Sequence, residues 1–224
     1  MNETLYASLK RLTFFDTFSS NRLEEISGAV NIESFSLGNK LLGSEIIPNK
    51  ISFVLDGEIR IVYQDKDEII TLGKGKLGNS IGIISHLRAQ GCEYILASSD
   101  VNLVTIPDTL FIELYQENTN FRNLCKNITY QSEIISTISQ CKKLNINNIV
   151  DFYFHNKDAI VIEADSSNFD NESIYICASN NHRNASIGDI IDINYLLANE
   201  NSIFPIRILS IKKSVLNSRN AFNY

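Results

Sequence analysis

The chain has 224 residues, 44% hydrophobic and 21% charged, with a formal net charge of −6 and a pI of about 5.1. That length can bury a proper core in one large or two small domains, and the composition excludes a disordered chain. The acidic balance counts against a nucleic-acid partner, no apolar run of about 18 residues suits a bilayer span, and MNETLYASLKRL lacks the apolar core of a signal peptide.

The four cysteines (Cys92, Cys125, Cys141 and Cys177) are far apart and form no CxxC pair. Neither a disulfide scaffold nor a zinc site has that spacing. Reduced, mostly buried thiols are expected, and with them a cytoplasmic location.

In chain order, LKRLTFFDTFSSNRLEEISGAV has the apolar spacing of two short helices broken near Thr17 to Ser20, with Ser20 capping the second. From Asn31 to Ile106 short apolar or alternating runs follow one another: NIESFSL, NKLLG, ISFVLDGEIRIVYQ, DEIITLG, CEYILAS and VNLVTIP. Turn residues separate them, and Asp56-Gly57 marks a tight turn or bulge. Many short strands at this spacing indicate an antiparallel sandwich or barrel. Pro107 and Asp108 open a helix, and a further helical pattern runs from Phe121 to Lys143. That second pattern can pack on its own domain or pair with its copy in a homodimer.

Residues 144–224 return to strand-like text in NIVDFYF, DAIVIEA, ESIYICAS and IFPIRILSIKK. DIIDINYLLANEN reads as a short helix. Arg207, Lys212, Lys213 and Arg219 form a local basic tail, read as a solvated end or a contact with a membrane surface or another domain.

GKGKLGNSIGIISHLRAQGCEYILA (residues 73–97) is dense in glycine. Such backbone can come close to a ligand and cradle an anion with its N–H groups.

This order of elements resembles the cyclic-nucleotide-binding domain family over residues 5–140. LKRLTFFDTFSSNRLEEIS looks like its entry helix, FSLGNKLLGSEIIPNKISFVLDGEIRIVYQ like its first strands, IITLGKGKLGNSIGII like the approach to its phosphate-binding cassette, and VNLVTIPDTLFIEL like its last strand and following helix. The resemblance implies a mainly β fold with flanking helices. It would be a double-stranded β-helix, or jelly roll, over residues 1–143, with a small β-rich module over 144–224.

In that family a glycine-glutamate pair, a short helix and an arginine-small pair hold the cyclic phosphate and ribose, the arginine through a charge-assisted bond. With Gly75 at the turn, Asn79 and Ser80 fall where the glycine-glutamate pair belongs. Ile81, Gly82, Ile83 and Ile84 make the short helix, and Gly91 and Cys92 take the place of the arginine-small pair. Both charged ligands are missing. Arg88 is the nearby cation, three positions early. The ligand-binding residues, if binding is retained, are therefore Gly75, Asn79, Ser80, Ile81, Gly82, Arg88, Gly91 and Cys92. No cofactor is expected. His86, in the same loop, reads as a solvated side chain.

SIYICASNNHRNASIGDIIDINYLLANENSIFPIRILSIKK is similar to a segment in the cytosolic N-terminal region of haemolysin-type peptide exporters of cyanobacteria. This implies a non-enzymatic sensor or docking region of an ABC-type exporter, with transporter domains or another protein as partner. The chain has no Walker A motif. The alternative is a catabolite-activator-type transcription regulator, but residues 145–224 lack the glycine-turned, basic helix-turn-helix it needs. Cys141, Cys177, His155 and His182 could in principle supply a Cys–His pair, but their surroundings do not suit catalysis, and no enzyme activity is expected.

Overall fold

The computed structural model describes residues 3–65, 68–128, 130–155, 159–163, 169–192 and 202–217. The chain divides into two compact units. Unit 1 comprises Met1–His86 and Gly91–Ile128, and unit 2 comprises Leu87–Gln90 and Thr129–Tyr224. The expected junction at 143/144 differs from this division in where residues 87–90 and 129–143 fall.

Unit 1 opens with α1 (Glu3–Leu9), a 3-10 turn (Thr13–Phe15) and α2 (Ser20–Ser27). The N-cap of α2 is Ser19, whose side chain accepts from the Arg22 N–H, so the cap sits one residue before the Ser20 expected. Eight strands follow: β1 (Asn31–Phe35), β2 (Lys40–Leu42), β3 (Lys50–Asp56), β4 (Ile59–Asp65), β5 (Glu68–Gly75), β6 (Ser80–Ile81), β7 (Tyr94–Ala97) and β8 (Val101–Pro107). The short helix α3 (Ile83–Leu87) lies between β6 and β7, and α4 (Asp108–Glu117) and α5 (Thr119–Lys126) follow β8.

The strands form two antiparallel four-stranded sheets, ordered β1-β8-β3-β6 and β2-β7-β4-β5. That alternation of strands between two sheets is the jelly-roll order, as the sequence suggested. Ile51 to Leu55 of β3 are buried without a break. A strand covered on both faces loses the polar alternation of a half-buried one. The covering on one side is aromatic. The Phe53 ring lies 5.1 Å from Phe14 and 5.2 Å from Phe15, and Phe121 of α5 closes on Phe14, Phe15, Phe18 and Phe111. The sharp β3–β4 turn needs Gly57 at φ +87°, where a Cβ would also lie 2.2 Å from the Asp100 carbonyl oxygen.

The helix expected over 121–143 is two helices. α5 ends at Lys126 with Asn127 as its C-cap, and α6 (Gln131–Gln140) begins after Tyr130, its extended N-cap. Of the apolar residues in the pattern, Phe121 and Cys125 are buried in unit 1 and Ile135 and Ile138 in unit 2, whereas Leu124 is exposed and Ile128 half-buried.

Unit 2 continues with α7 (Ile149–His155), β9 (Ile160–Glu163), β10 (Ser173–Cys177), β11 (Arg207–Lys212) and α8 (Lys213–Asn217). The strands form one antiparallel sheet ordered β10-β11-β9. Ile134 and Ile138 of α6 pack with Phe152, Ile174, Ile176, Leu209 and Ile211, which ties α6 to this unit. NIVDFYF, read as a strand, is therefore helical. The Asn148 side chain accepts from the Asp151 N–H and caps the turn, and packing of Val150 and Phe152 overrides the β preference of the aromatic run. The helix read in DIIDINYLLANEN lies outside the described residues from position 193 on. Ile190 makes a β-bridge with Ile176.

The pairing of unit 2 repeats that of unit 1. In unit 1 the Ile51–Ile106 and Lys50–Pro107 pairs lead into α4 at Asp108, whose N–H donates to the Asn49 carbonyl. In unit 2 the Ile174–Ile211 and Ser173–Lys212 pairs lead into α8 at Lys213, whose N–H donates to the Glu172 carbonyl. On the far side of the central strand Asn31 pairs Thr105, and Ile160 pairs Ser210. The turn before β6 recurs too. Gly78 donates to Val54 O and Val54 to Asn79 O; Gly188 donates to Cys177 O and Cys177 to Asp189 O. Gly78 and Gly188 take φ of +86° and +93°.

Candidate functional site

The cassette begins where β5 ends. Gly75 pairs with Ile59, and a Cβ at 75 would lie 2.9 Å from the Ile59 side chain and 3.1 Å from Asn79. The turn then closes on itself, with the Asn79 N–H donating to Lys76 O and the Lys76 N–H to Asn79 Oδ1. Asn79 thus spends its side chain on the turn. Ser80 and Ile81 are buried in β6, opposite Phe53 and Ser52. The helix expected to include Ile81 and Gly82 starts at Ile83. Gly82 stands immediately before it at φ +98°, with Pro48 2.7 Å from where a Cβ would be.

The group that organises this turn is Glu93, which the sequence reading did not single out. Its carboxylate is fully buried. One oxygen accepts from the Gly82 N–H at 2.9 Å, and the other from the Ser85 N–H at 2.9 Å and the Ser85 hydroxyl at 2.7 Å. Two of these are backbone donors of the kind a phosphate-binding turn offers an anion, and here a side chain of the same chain takes them. Glu93 is one residue beyond Cys92, itself buried. The only sequence signal was an acid inside an otherwise apolar strand entry.

Gly91 stands at the position read as the family's arginine. A Cβ there would lie 2.5 Å from the Ile46 carbonyl oxygen and 2.7 Å from that of Ser44. The backbone of residues 44–46 fills the space an arginine side chain would need. Arg88, the other candidate cation, belongs to unit 2. Its side chain is fully buried, with Nε donating to the Ala178 carbonyl at 2.8 Å. Of the eight candidate residues, Gly82 alone donates to the Glu93 carboxylate among the bonds described.

His86 is not solvated. It is 8% exposed, 5.7 Å from the Phe111 ring, and its Nε2 is 2.7 Å from the Pro48 carbonyl, so Nε2 carries the proton. Burial pushes its pKa below the usual value, against the opposing pull of the Pro48 carbonyl and Asp108. The basic tail is also partly engaged. Arg207 is 2% exposed and pairs with Glu133, while Lys212 pairs with Asp170. Arg219 lies outside the described residues.

All four cysteines are buried and none forms a disulfide, and burial raises the pKa of the Cys125 and Cys141 thiols. Neither is poised as a nucleophile. Among the described residues no group of three His, Cys, Asp or Glu could hold a metal ion. No helix among them is long and apolar enough to cross a membrane.

No family profile matches the chain, and no curated protein matches it. Solved structures do. A regulatory subunit of a cAMP-independent protein kinase A from Trypanosoma cruzi, bound to guanosine, is 16% identical with a TM-score of 0.43, covering 55% of this chain and 48% of that one. A cAMP-binding acyltransferase from Mycobacterium smegmatis is 19% identical with a TM-score of 0.49, covering 61% of this chain and 42% of that one. cAMP-bound PfPKA-R is 13% identical with a TM-score of 0.47, covering 97% of this chain and 84% of that one. The match spans about half the length of the trypanosomal subunit.

Proposed function

We propose that this chain is a non-enzymatic regulatory or docking region whose β-roll does not take a cyclic nucleotide in the manner of the family it resembles. The observation that carries this reading is the Glu93 carboxylate, held by Gly82 and Ser85 within the cassette turn. An incoming phosphate would meet a buried negative charge already using those donors. Displacing it would leave the carboxylate buried and unpaired, at a cost of several kcal/mol, on the order of 3 or more. Gly91 offers no cation in return, and residues 44–46 fill its surroundings. Calorimetry of the full chain with cyclic AMP and cyclic GMP tests this. Dissociation constants weaker than about 1 mM are expected, and one tighter than about 10 μM would overturn the reading.

The partner we propose is an ABC-type peptide exporter, with this chain docking on its cargo or its ATPase. Support comes from the similarity of residues 173–213 to the N-terminal regions of such exporters. Unit 2 is built on an antiparallel sheet where a transcription regulator would carry its recognition helices, which favours docking over DNA reading. Affinity capture from a membrane extract should recover a Walker-A ATPase. Salt-sensitive, sequence-preferring DNA binding in its place would sink the exporter assignment.

A further inference from the structure

Among its described residues unit 2 buries two arginines, Arg88 and Arg207, against one carboxylate, Glu133. Arg207 takes that carboxylate entirely, its Nε donating to Oε1 at 2.6 Å and its Nη2 to Oε2 at 2.8 Å. Arg88 has neutral partners only. Its Nε donates to Ala178 O at 2.8 Å, and its Nη2 reaches Thr137 Oγ1 at 3.4 Å. The Thr137 hydroxyl hydrogen is committed to the Glu133 carbonyl, so Thr137 meets Arg88 with a lone pair. Nη1 of Arg88 is buried with no partner. Among the described residues no carboxylate lies within ion-pair distance of Arg88.

A fully buried guanidinium without a counter-charge carries a desolvation penalty that neutral acceptors only partly offset. Its Nη1–Nη2 edge presents the parallel pair of N–H donors that matches two oxygens of an oxyanion. We propose that Arg88 is the cation of an anion site in unit 2 that takes a small inorganic oxyanion of the phosphate or sulfate type. The enclosure of the side chain restricts the ligand to a small ion and excludes a nucleotide. The site uses none of the groups that hold the Glu93 carboxylate, and it stands or falls independently of the cyclic-nucleotide reading.

The test is unfolding of the full chain in millimolar inorganic phosphate against sodium chloride at matched ionic strength, for the native chain and for Arg88→Met and Arg88→Lys. Phosphate should raise the folding constant of the native chain saturably, by about 100-fold when it stands about 100-fold above its dissociation constant. Arg88→Met should abolish the phosphate-specific gain, and Arg88→Lys should keep part of it. Should Arg88→Met fail to fold, calorimetric titration of the native chain with phosphate, beside Thr137→Val, gives the same answer. Equal stabilisation by chloride, an unchanged phosphate gain in Arg88→Met, or no heat on titration overturns the proposal.

Discussion

Glu93 shows how one side chain changes the meaning of a glycine-rich turn. Its carboxylate satisfies two backbone N–H groups and one hydroxyl in a fully buried place. Glu93→Ala should leave those donors without an acceptor and cost about 3 kcal/mol, seen as a lower urea midpoint. Glu93→Gln, which keeps one acceptor oxygen, should cost clearly less. The turn glycines and the missing family ligands were legible in the text, because they are residue types at fixed spacing. Glu93 was not, because only the fold brings its carboxylate back eleven residues to Gly82. His86 was misjudged for a related reason: polar neighbours in sequence suggest solvent, whereas Pro48 and Phe111 enclose it in space. Burial depresses its folded pKa below the unfolded value of about 6.5. The unfolded chain therefore binds the proton more readily, so this contribution is full above about pH 6.5 and is lost as pH falls below it. Urea midpoints across that range should fall for the native chain and fall less for His86→Gln. Asp170 should be silent there, because Lys212 holds its pKa down to about 2.

At the scale of elements, the strands of unit 1 could be read because turn residues bracket each short apolar or alternating run. The helix α7 could not. Its FYF run has the β preference of an aromatic strand, and only the Asn148 cap and the packing of Phe152 settle it as helix. The break between α5 and α6 was hidden because the apolar spacing runs across it while the two halves serve different units. The recurring turn allows a matched pair of tests. Gly78 and Gly188 share their positive φ and their hydrogen bonds, but not their surroundings. A Cβ at Gly78 meets nothing within 4 Å, so Gly78→Ala should cost only the backbone strain, about 1–2 kcal/mol. At Gly188 it would lie 2.4 Å from the Gln140 carbonyl oxygen, an atom of the α6 backbone that cannot rotate aside. Gly188→Ala should cost at least about 2 kcal/mol more than Gly78→Ala in denaturant unfolding.

At the scale of the whole molecule, the chain builds one sheet plan twice. The text of the two copies hides this: VNLVTIPDTLF and RILSIKKSVLN share little beyond an apolar alternation running into a helix, and LGNSI and IGDII share one glycine and one isoleucine. Register, which sequence alone does not display, is what makes the equivalence plain. The division into units also crosses the chain in an unexpected place, because Leu87–Gln90 leaves the first β-roll's cassette and counts with unit 2. There it holds the end of β10. The Asn180 N–H donates to Arg88 O at 2.8 Å, the Asn181 side chain to Leu87 O at 2.7 Å, and Arg88 Nε to Ala178 O. A fragment starting at Thr129 lacks that segment yet keeps β9, β10, β11 and the Gly188 turn. Hydrogen exchange on this fragment, set against the full chain, should therefore show a local loss. The Asn180 amide should lose protection, since its acceptor is gone. The Cys177 and Gly188 amides, which bond to Asp189 O and Cys177 O, should keep theirs wherever the fragment folds. Equal protection at Asn180 in both would mean that the 87–90 segment does not support this edge, and that unit 2 is complete from residue 129 onward.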